Sequence, residues 1–265
     1  DIGAAEFLAF FIRREIEGII RMRWDFDSFN ANYSRTLTGS EKRQHILNYA
    51  QTLGASKKDL RKDKKALDRW LGHDAMQERF LVRVGRAEQR ISFCLDRLFD
   101  CITIPRQDHL PMEEPLVLWH RVQPETMVAM LIEHSGNRYV LEPALKFLAR
   151  VMELLPDAPV NGQPIPGLGD QLMQKLYRFT MEERQPVGVK TSSLRILMVT
   201  SGDSFKKLFL EKLRFHEGRD AIFIRRECVK ILRDALPRYP ELSSLVNELM
   251  SDPSPFVRQE LARAI

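Results

Sequence analysis

Apolar residues recur along most of this chain at three- and four-residue intervals and nowhere alternate with polar ones over a strand's length, so the pattern predicts helices throughout. Residues 4–23 place Leu8, Ile12, Ile16, Ile19 and Ile20 on one stripe, with Glu6, Arg13, Arg14, Glu17 and Arg21 mostly opposite. Residues 24–38 are turn-prone, with Asp, Asn and Ser and no stripe, and predict a surface loop. Ser40, with Glu41 favouring the positive end of the helix dipole, opens a helix whose inner side is Ile46, Leu47, Ala50 and Leu53. Gly54 ends it, and Ser56 caps the next, in which Leu60, Leu67, Trp70 and Leu71 face inward. A long helix follows over residues 74–101, carrying Phe80, Leu81, Val84, Ala87, Ile91, Cys94, Leu95, Leu98 and Phe99.

Pro105, Pro111 and Pro115 mark a linker, and beyond it the predicted helices become shorter and more regular. They fall at 116–122, 124–133, 139–155, 170–182, 187–199, 204–215, 221–236, 241–250 and 255–265. Pro124, Pro240 and Pro253 suit helix starts, while Pro156, Pro164 and Pro166 punctuate a longer loop with Gly162, Gly167 and Gly169. Two zones result: an N-terminal helical module with long helices over 1–105, and an array of shorter helices over 106–265.

The array repeats. Ile224-Arg225-Arg226-Glu227-Cys228-Val229-Lys230-Ile231-Leu232 aligns with the nine residues from Val257 at an offset of 33, and the nine from Val189 precede it by 35. All three read aliphatic, basic, any, polar, small or apolar, apolar, basic, apolar, aliphatic. A weaker echo around Ala144 to Leu148 stands 49 residues further back, with the loop between Pro156 and Gly169 as the insertion. Such periods, with two helices in each, predict a solenoid, because each pair leaves an apolar face that only the next pair covers.

Asp252-Pro253-Ser254-Pro255-Phe256-Val257-Arg258, leading into Leu261 and Ala262, resembles the start of a HEAT repeat. The resemblance covers residues 187–265, extends weakly over 116–155, and does not reach the first hundred residues. It implies an all-α fold, an α-solenoid of HEAT-like helix pairs, preceded here by the N-terminal module. In that family an Asp in the turn and an Arg early in the second helix form a ladder between neighbouring repeats, which implies this role for Asp252 and Arg258. Arg225 and Lys190 hold the corresponding basic position; Asp220 stands one residue out of register with Arg225, and no Asp accompanies Lys190.

Charge divides the chain in the same place. Residues 1–105 hold 19 Lys+Arg against 15 Asp+Glu, and residues 106–265 hold 22 against 21, so most of the net charge of +5 is N-terminal. Seven cations (Lys57, Lys58, Arg61, Lys62, Lys64, Lys65 and Arg69) crowd the helix that Ser56 caps, among Asp59, Asp63 and Asp68. As a nucleic-acid surface, Lys57, Lys58, Arg61, Lys62, Lys65 and Arg69 offer phosphate contacts. As a solvated face, the same helix pairs Asp59 with Lys62 and Asp68 with Lys64 or Lys65 at helical spacing. Three cysteines make no disulfide framework and fit a reducing compartment, hence the cytoplasm. The most apolar stretch, residues 7–20, is interrupted by Arg13, Arg14, Glu15 and Glu17 and is no membrane span. Residues 4–23 read either as a membrane-surface helix or as an end helix packed on the fold, and their mixed-sign polar face favours packing. Because the chain starts at Asp1 and stops within a helical pattern at Ile265, a longer parent protein with a truncated array is expected.

Chemistry is sparse. His45, His73, His109, His120, His134 and His216 show no metal-ligand spacing, so no metal is expected. The glycines from Gly162 to Gly169 lack the Lys-Ser/Thr of a phosphate loop, and no Gly-x-Ser-x-Gly occurs. Cys94, Cys101 and Cys228 fall on apolar stripes, which disfavours a thiolate nucleophile. The adjacent pairs Glu113-Glu114 and Glu182-Glu183 point apart on a helix. No cofactor and no catalysis are expected; the enzymatic alternative is a HEAT-like DNA glycosylase, for which Trp24, Trp70 and Trp119 would be the stacking residues, although no motif of that family matches. The expected function is a scaffold or interaction module that binds a protein partner through its repeats. A nucleic-acid-binding solenoid using residues 57–69 is the alternative.

Overall fold

The computed structural model describes residues 2–33, 39–53, 73–103, 114–155, 166–182, 184–200, 203–214, 221–237 and 240–264. Among these, all regular structure is helical. The N-terminal zone contributes α1 (Ile2–Tyr33), α2 (Gly39–Thr52) and α3 (His73–Thr103). The rest forms α4 (Glu114–Val122), α5 (Pro124–His134), α6 (Arg138–Leu154), α7 (Asp170–Met181), α8 (Val187–Thr200), α9 (Asp203–Leu213) and α10 (Ala221–Ala235), then a 3-10 turn (Pro240–Ser243), α11 (Ser244–Met250) and α12 (Pro255–Ala264).

The stripe of α1 is spent inside the protein. Ala5, Ala9, Ile12, Ile16 and Ile19 are buried where α1 packs on α3, against the set that includes Val84, Ala87, Ile91, Leu95 and Leu98. Leu81 of α3 faces outward at 56% exposure. At the rim of the pair the Arg90 guanidinium forks onto Glu15, with Nε 3.0 Å from Oε1 and Nη2 2.6 Å from Oε2.

Residues 24–33 are helix rather than the expected loop: α1 runs on unbroken to Tyr33. The reason is a second, smaller core in which Phe26 and Phe29, three residues apart, are buried with Ile46, Tyr49, Ala50 and Met76. Phe26 stacks on Phe80 at 4.3 Å between ring centroids and Phe29 on Tyr49 at 4.5 Å. Asp, Asn and Ser each disfavour a helix by up to about 0.7 kcal/mol, whereas burying each phenylalanine contributes about 1.5–3 kcal/mol. Packing therefore overrides propensity, and Asp27 and Ser28 are left exposed to water. Burial, reinforced by the negative Asp25 and Asp27, pushes the Tyr49 phenol up to about 12.

Two polar contacts fix α3 against the next pair of helices. The Glu88 carboxylate, buried on α3, accepts from Ser135 Oγ at 2.8 Å and from Asn137 Nδ2 at 2.7 Å, gripping the turn between α5 and α6. Asn137 in turn caps α6 by accepting from the Tyr139 N–H. Within α6, Pro143 has no N–H to offer the Tyr139 carbonyl four residues back. Ser92 Oγ of α3 donates to that carbonyl at 2.9 Å, so a proline defect in one helix is satisfied by the neighbouring one. On the other flank, Gln123 alone links α4 to α5 in a left-handed conformation (φ 48°), and Arg13 of α1 donates to the Val122 carbonyl at 3.1 Å beside it.

From α3 onward the order of packing is regular. α3 lies on α6, α6 on α8, α8 on α10 and α10 on α12, while α1 covers α3, α5 covers α6, α7 covers α8, α9 covers α10 and α11 covers α12. One buried cluster extends from Ala5 to Leu261. Of the prolines that mark the linker between the two zones, Pro105 and Pro111 lie outside the described residues and Pro115 stands in the first turn of α4; the helices on the two sides share that cluster.

Ser92→Ala is expected to lower stability by about 1 kcal/mol and to have almost no effect in a Pro143→Ala background, where residue 143 supplies its own N–H. Urea denaturation of the two single variants and the double variant measures this coupling.

Candidate interaction surface

Aligning the second helices on the aliphatic residue that opens the repeated block superimposes Val140, Val189, Ile224 and Val257, all 5% exposed or less. Four residues on, Ala144, Ser193, Cys228 and Leu261 are buried as well. The residue immediately before the aliphatic is the opposite case: Tyr139, Phe223 and Phe256 are 64%, 55% and 58% exposed. In α8 this place is taken by Gly188, over which the Glu142 carboxylate of α6 lies. Equivalent positions of successive helices thus present large rings to solvent with one gap. The repeat alignment held this signal one residue upstream of the block that defines the period.

Ion pairs tie the same helices together in register. Arg195 of α8 reaches Glu227 of α10 at 3.2 Å and Glu153 of α6 at 3.7 Å; Arg226 of α10 reaches Glu260 of α12 at 3.0 Å. In the outer layer Arg214 forks onto Glu248 at 3.1 Å. Half-exposed pairs of this kind contribute at most about 1 kcal/mol each. They align the helices, and apolar burial holds them. Burial pushes the Glu227 carboxyl up, but the hydrogen bond from Lys230 and the charges of Arg195 and Lys230 outweigh it and hold the group below its ordinary range.

One rung is buried. Arg225 of α10 forks onto Asp252, which precedes α12, with Nε 2.9 Å from Oδ2 and Nη2 3.3 Å from Oδ1, and both side chains are under 5% exposed. Asp252 Oδ1 also accepts the Ser254 N–H at 2.8 Å, and its backbone carbonyl accepts from Arg258. The structure therefore brings Asp252, Arg225 and Arg258 together. The carboxylate is taken by the arginine of the preceding helix pair, and Arg258 bonds only the carbonyl. Lys190 sits half-buried at the matching place in α8. Lys57, Lys58, Arg61, Lys62, Lys65 and Arg69, together with Trp70 and Asp220, lie outside the described residues.

Of the remaining candidates, Trp24 is exposed and Trp119 buried. Burial pushes the Cys94 and Cys228 thiols up, away from the reactive thiolate. Among the described residues no group of three or more His, Cys, Asp or Glu is placed to hold a metal, and no helix is long and apolar enough to cross a membrane.

Arg225→Ala should destabilise the protein by about 3–5 kcal/mol by stranding a buried carboxylate, and adding Asp252→Asn should recover much of that loss in urea melts. Glu227 behaves differently with pH. Its folded pKa lies below the unfolded value of about 4.3, so its contribution is complete above that pH and disappears as pH falls through the folded value. Glu227→Gln is expected to lower Tm at neutral pH, with the difference closing in melts taken at progressively lower pH.

No family model matches the chain, and no curated protein or solved structure matches it.

Proposed function

We propose that this chain is a non-catalytic interaction module, an α-solenoid of HEAT-like helix pairs that holds a protein partner along the ring-bearing edge of its second helices. The observation that carries the reading is the shared register: Val140, Val189, Ile224 and Val257 are buried in step, while Tyr139, Phe223 and Phe256 are exposed in step. Exposed aromatics are costly to leave in water and are the side chains that anchor protein interfaces. Three of them at one repeat position form a row that one partner segment can touch at intervals set by the helix spacing. The ion pairs beside the row are internally neutralised, Arg195 with Glu227 and Arg226 with Glu260, which favours a protein partner over a polyanion. The cytoplasmic setting belongs to the same proposal and rests on the free thiols of Cys94, Cys101 and Cys228.

A photo-crosslinking amino acid placed in turn at 139, 223 and 256 in cells is expected to trap the same protein at each position, with no trapping from the exposed control position Glu241. The Phe223→Asp/Phe256→Asp variant should abolish trapping from position 139. Adducts sensitive to nuclease, or equal adducts from position 241, would overturn the proposal.

A further inference from the structure

A second surface, sharing no residue with the ring-bearing edge, lies on the N-terminal helices. Arg79, Arg83, Arg86 and Arg90 recur on α3 at intervals of four, three and four, and so stand on one face over about 16 Å of helix. That face borders a groove whose opposite wall is α1 and the end of α2. The groove consists of two hollows that meet at Arg86. One, of about 460 Å³, is lined by Phe11, Arg86, Gln89, Arg90, Phe93 and Cys94. The other, of about 410 Å³, is lined by Leu53, Glu78, Arg79, Val82, Arg83 and Arg86.

Two features define what fits. The floor is apolar: Phe93 is 60% exposed and Val82 46%, with Phe11 and Leu53 facing them. The rim is cationic: Arg83, Arg86 and Arg90 are exposed and Arg79 is partly buried, with the carboxylates of Glu78 in the lining and Glu15 on Arg90. Arg90 is held in place by the fork onto Glu15, and Arg83 by donating to the Thr52 carbonyl at 2.9 Å. Their planar forks keep further N–H groups for an incoming carboxylate. Arg86, exposed and common to both hollows, stands at the centre.

We infer that this groove docks an acidic amphipathic helix of a partner protein, with its apolar side chains in the two hollows and its glutamates or aspartates on the arginine row. Three turns of α3 separate Arg79 from Arg90, which matches an apolar ligand stripe at i, i+4, i+7 and i+11. A nucleic-acid backbone would satisfy the arginines but leave the apolar floor uncovered, and Phe93 alone among the groove's rings is mainly exposed, so there is no series of platforms for stacked bases. The site shares no residue with the row formed by Tyr139, Phe223 and Phe256, so either surface can fail without the other.

The test uses the whole chain and fluorescence anisotropy with three labelled probes. These are a synthetic 20-residue helix with a leucine stripe flanked by glutamates, a peptide of identical composition scrambled to destroy the stripe, and a 20-base-pair DNA duplex. The striped peptide is expected to bind at least tenfold more tightly than the scrambled one. Arg86→Glu and Phe93→Ala, both at exposed positions, should each weaken it about tenfold without shifting Tm, and Phe256→Asp should leave it unchanged. Equal binding of striped and scrambled peptides, affinity unchanged in Arg86→Glu and Phe93→Ala, or displacement of the peptide by the duplex would each overturn the proposal, the last by showing a nucleic-acid surface instead.

Discussion

The structure depends on the burial of α8 between α6, α7 and α10. Its sequence, rich in Val, Thr, Ser and Gly, is a poor helix former, and a fourteen-residue helix is marginal alone in water. It persists because Val189, Thr191, Ser192, Ser193, Leu194, Ile196, Leu197 and Met198 are all buried, covering most of its circumference. Ser192 and Ser193, small at the contact, let neighbouring helices come close. The same condition, with contacts on two or three sides, holds for α6 and α10, and it joins five helix pairs through one core. No pair could be lifted out without exposing the apolar face of the next.

Polar groups inside this seam set position more than they add stability. Glu88 holds the turn between α5 and α6 through two donated hydrogen bonds, and Ser92 serves the carbonyl that Pro143 leaves unpaired. The Arg225–Asp252 fork does the same for α10 and α12. In each case a group that would be expensive to bury alone meets a partner from another helix, so these contacts select one alignment of the stack over its neighbours. The partly exposed pairs of Arg195 and Arg226 extend that alignment to the solvent face.

Two groups stand out among the exposed apolar side chains. Tyr139, Phe223 and Phe256 each stand one residue before an aligned buried aliphatic, whereas Phe93 and Val82 share a groove with arginines. The first surface has ion pairs on the same helices and the Arg138 guanidinium over Tyr139, and the second is lined by arginines. That contrast gives the two proposed docking modes different chemistry: ring insertion along the repeats, and carboxylate pairing over an apolar floor at the N-terminal end.

The sequence by itself determined most of the helices after residue 114 to within a residue or two, because a three- to four-residue stripe opened by a proline such as Pro124 is local information; the stretch expected as one helix over 241–250 divides into a 3-10 turn and α11, and Pro253 stands two residues before α12 opens at Pro255. It also contained the 33- and 35-residue offsets and the basic position occupied by Lys190, Arg225 and Arg258. The arginine spacing on α3 was legible too, but its meaning needed the wall that α1 and α2 supply. Tertiary structure alone extended α1 through residues 24–33, since the stabilisation comes from Phe80 and Tyr49, which are distant in sequence. It also set the direction of the Asp252 contact: the carboxylate meets Arg225 of the preceding helix pair across the interface, while Arg258, on α12 itself, bonds the Asp252 carbonyl. Periodicity records which side of a helix must be covered. What covers it is a contact between distant residues, and only the folded chain decides that.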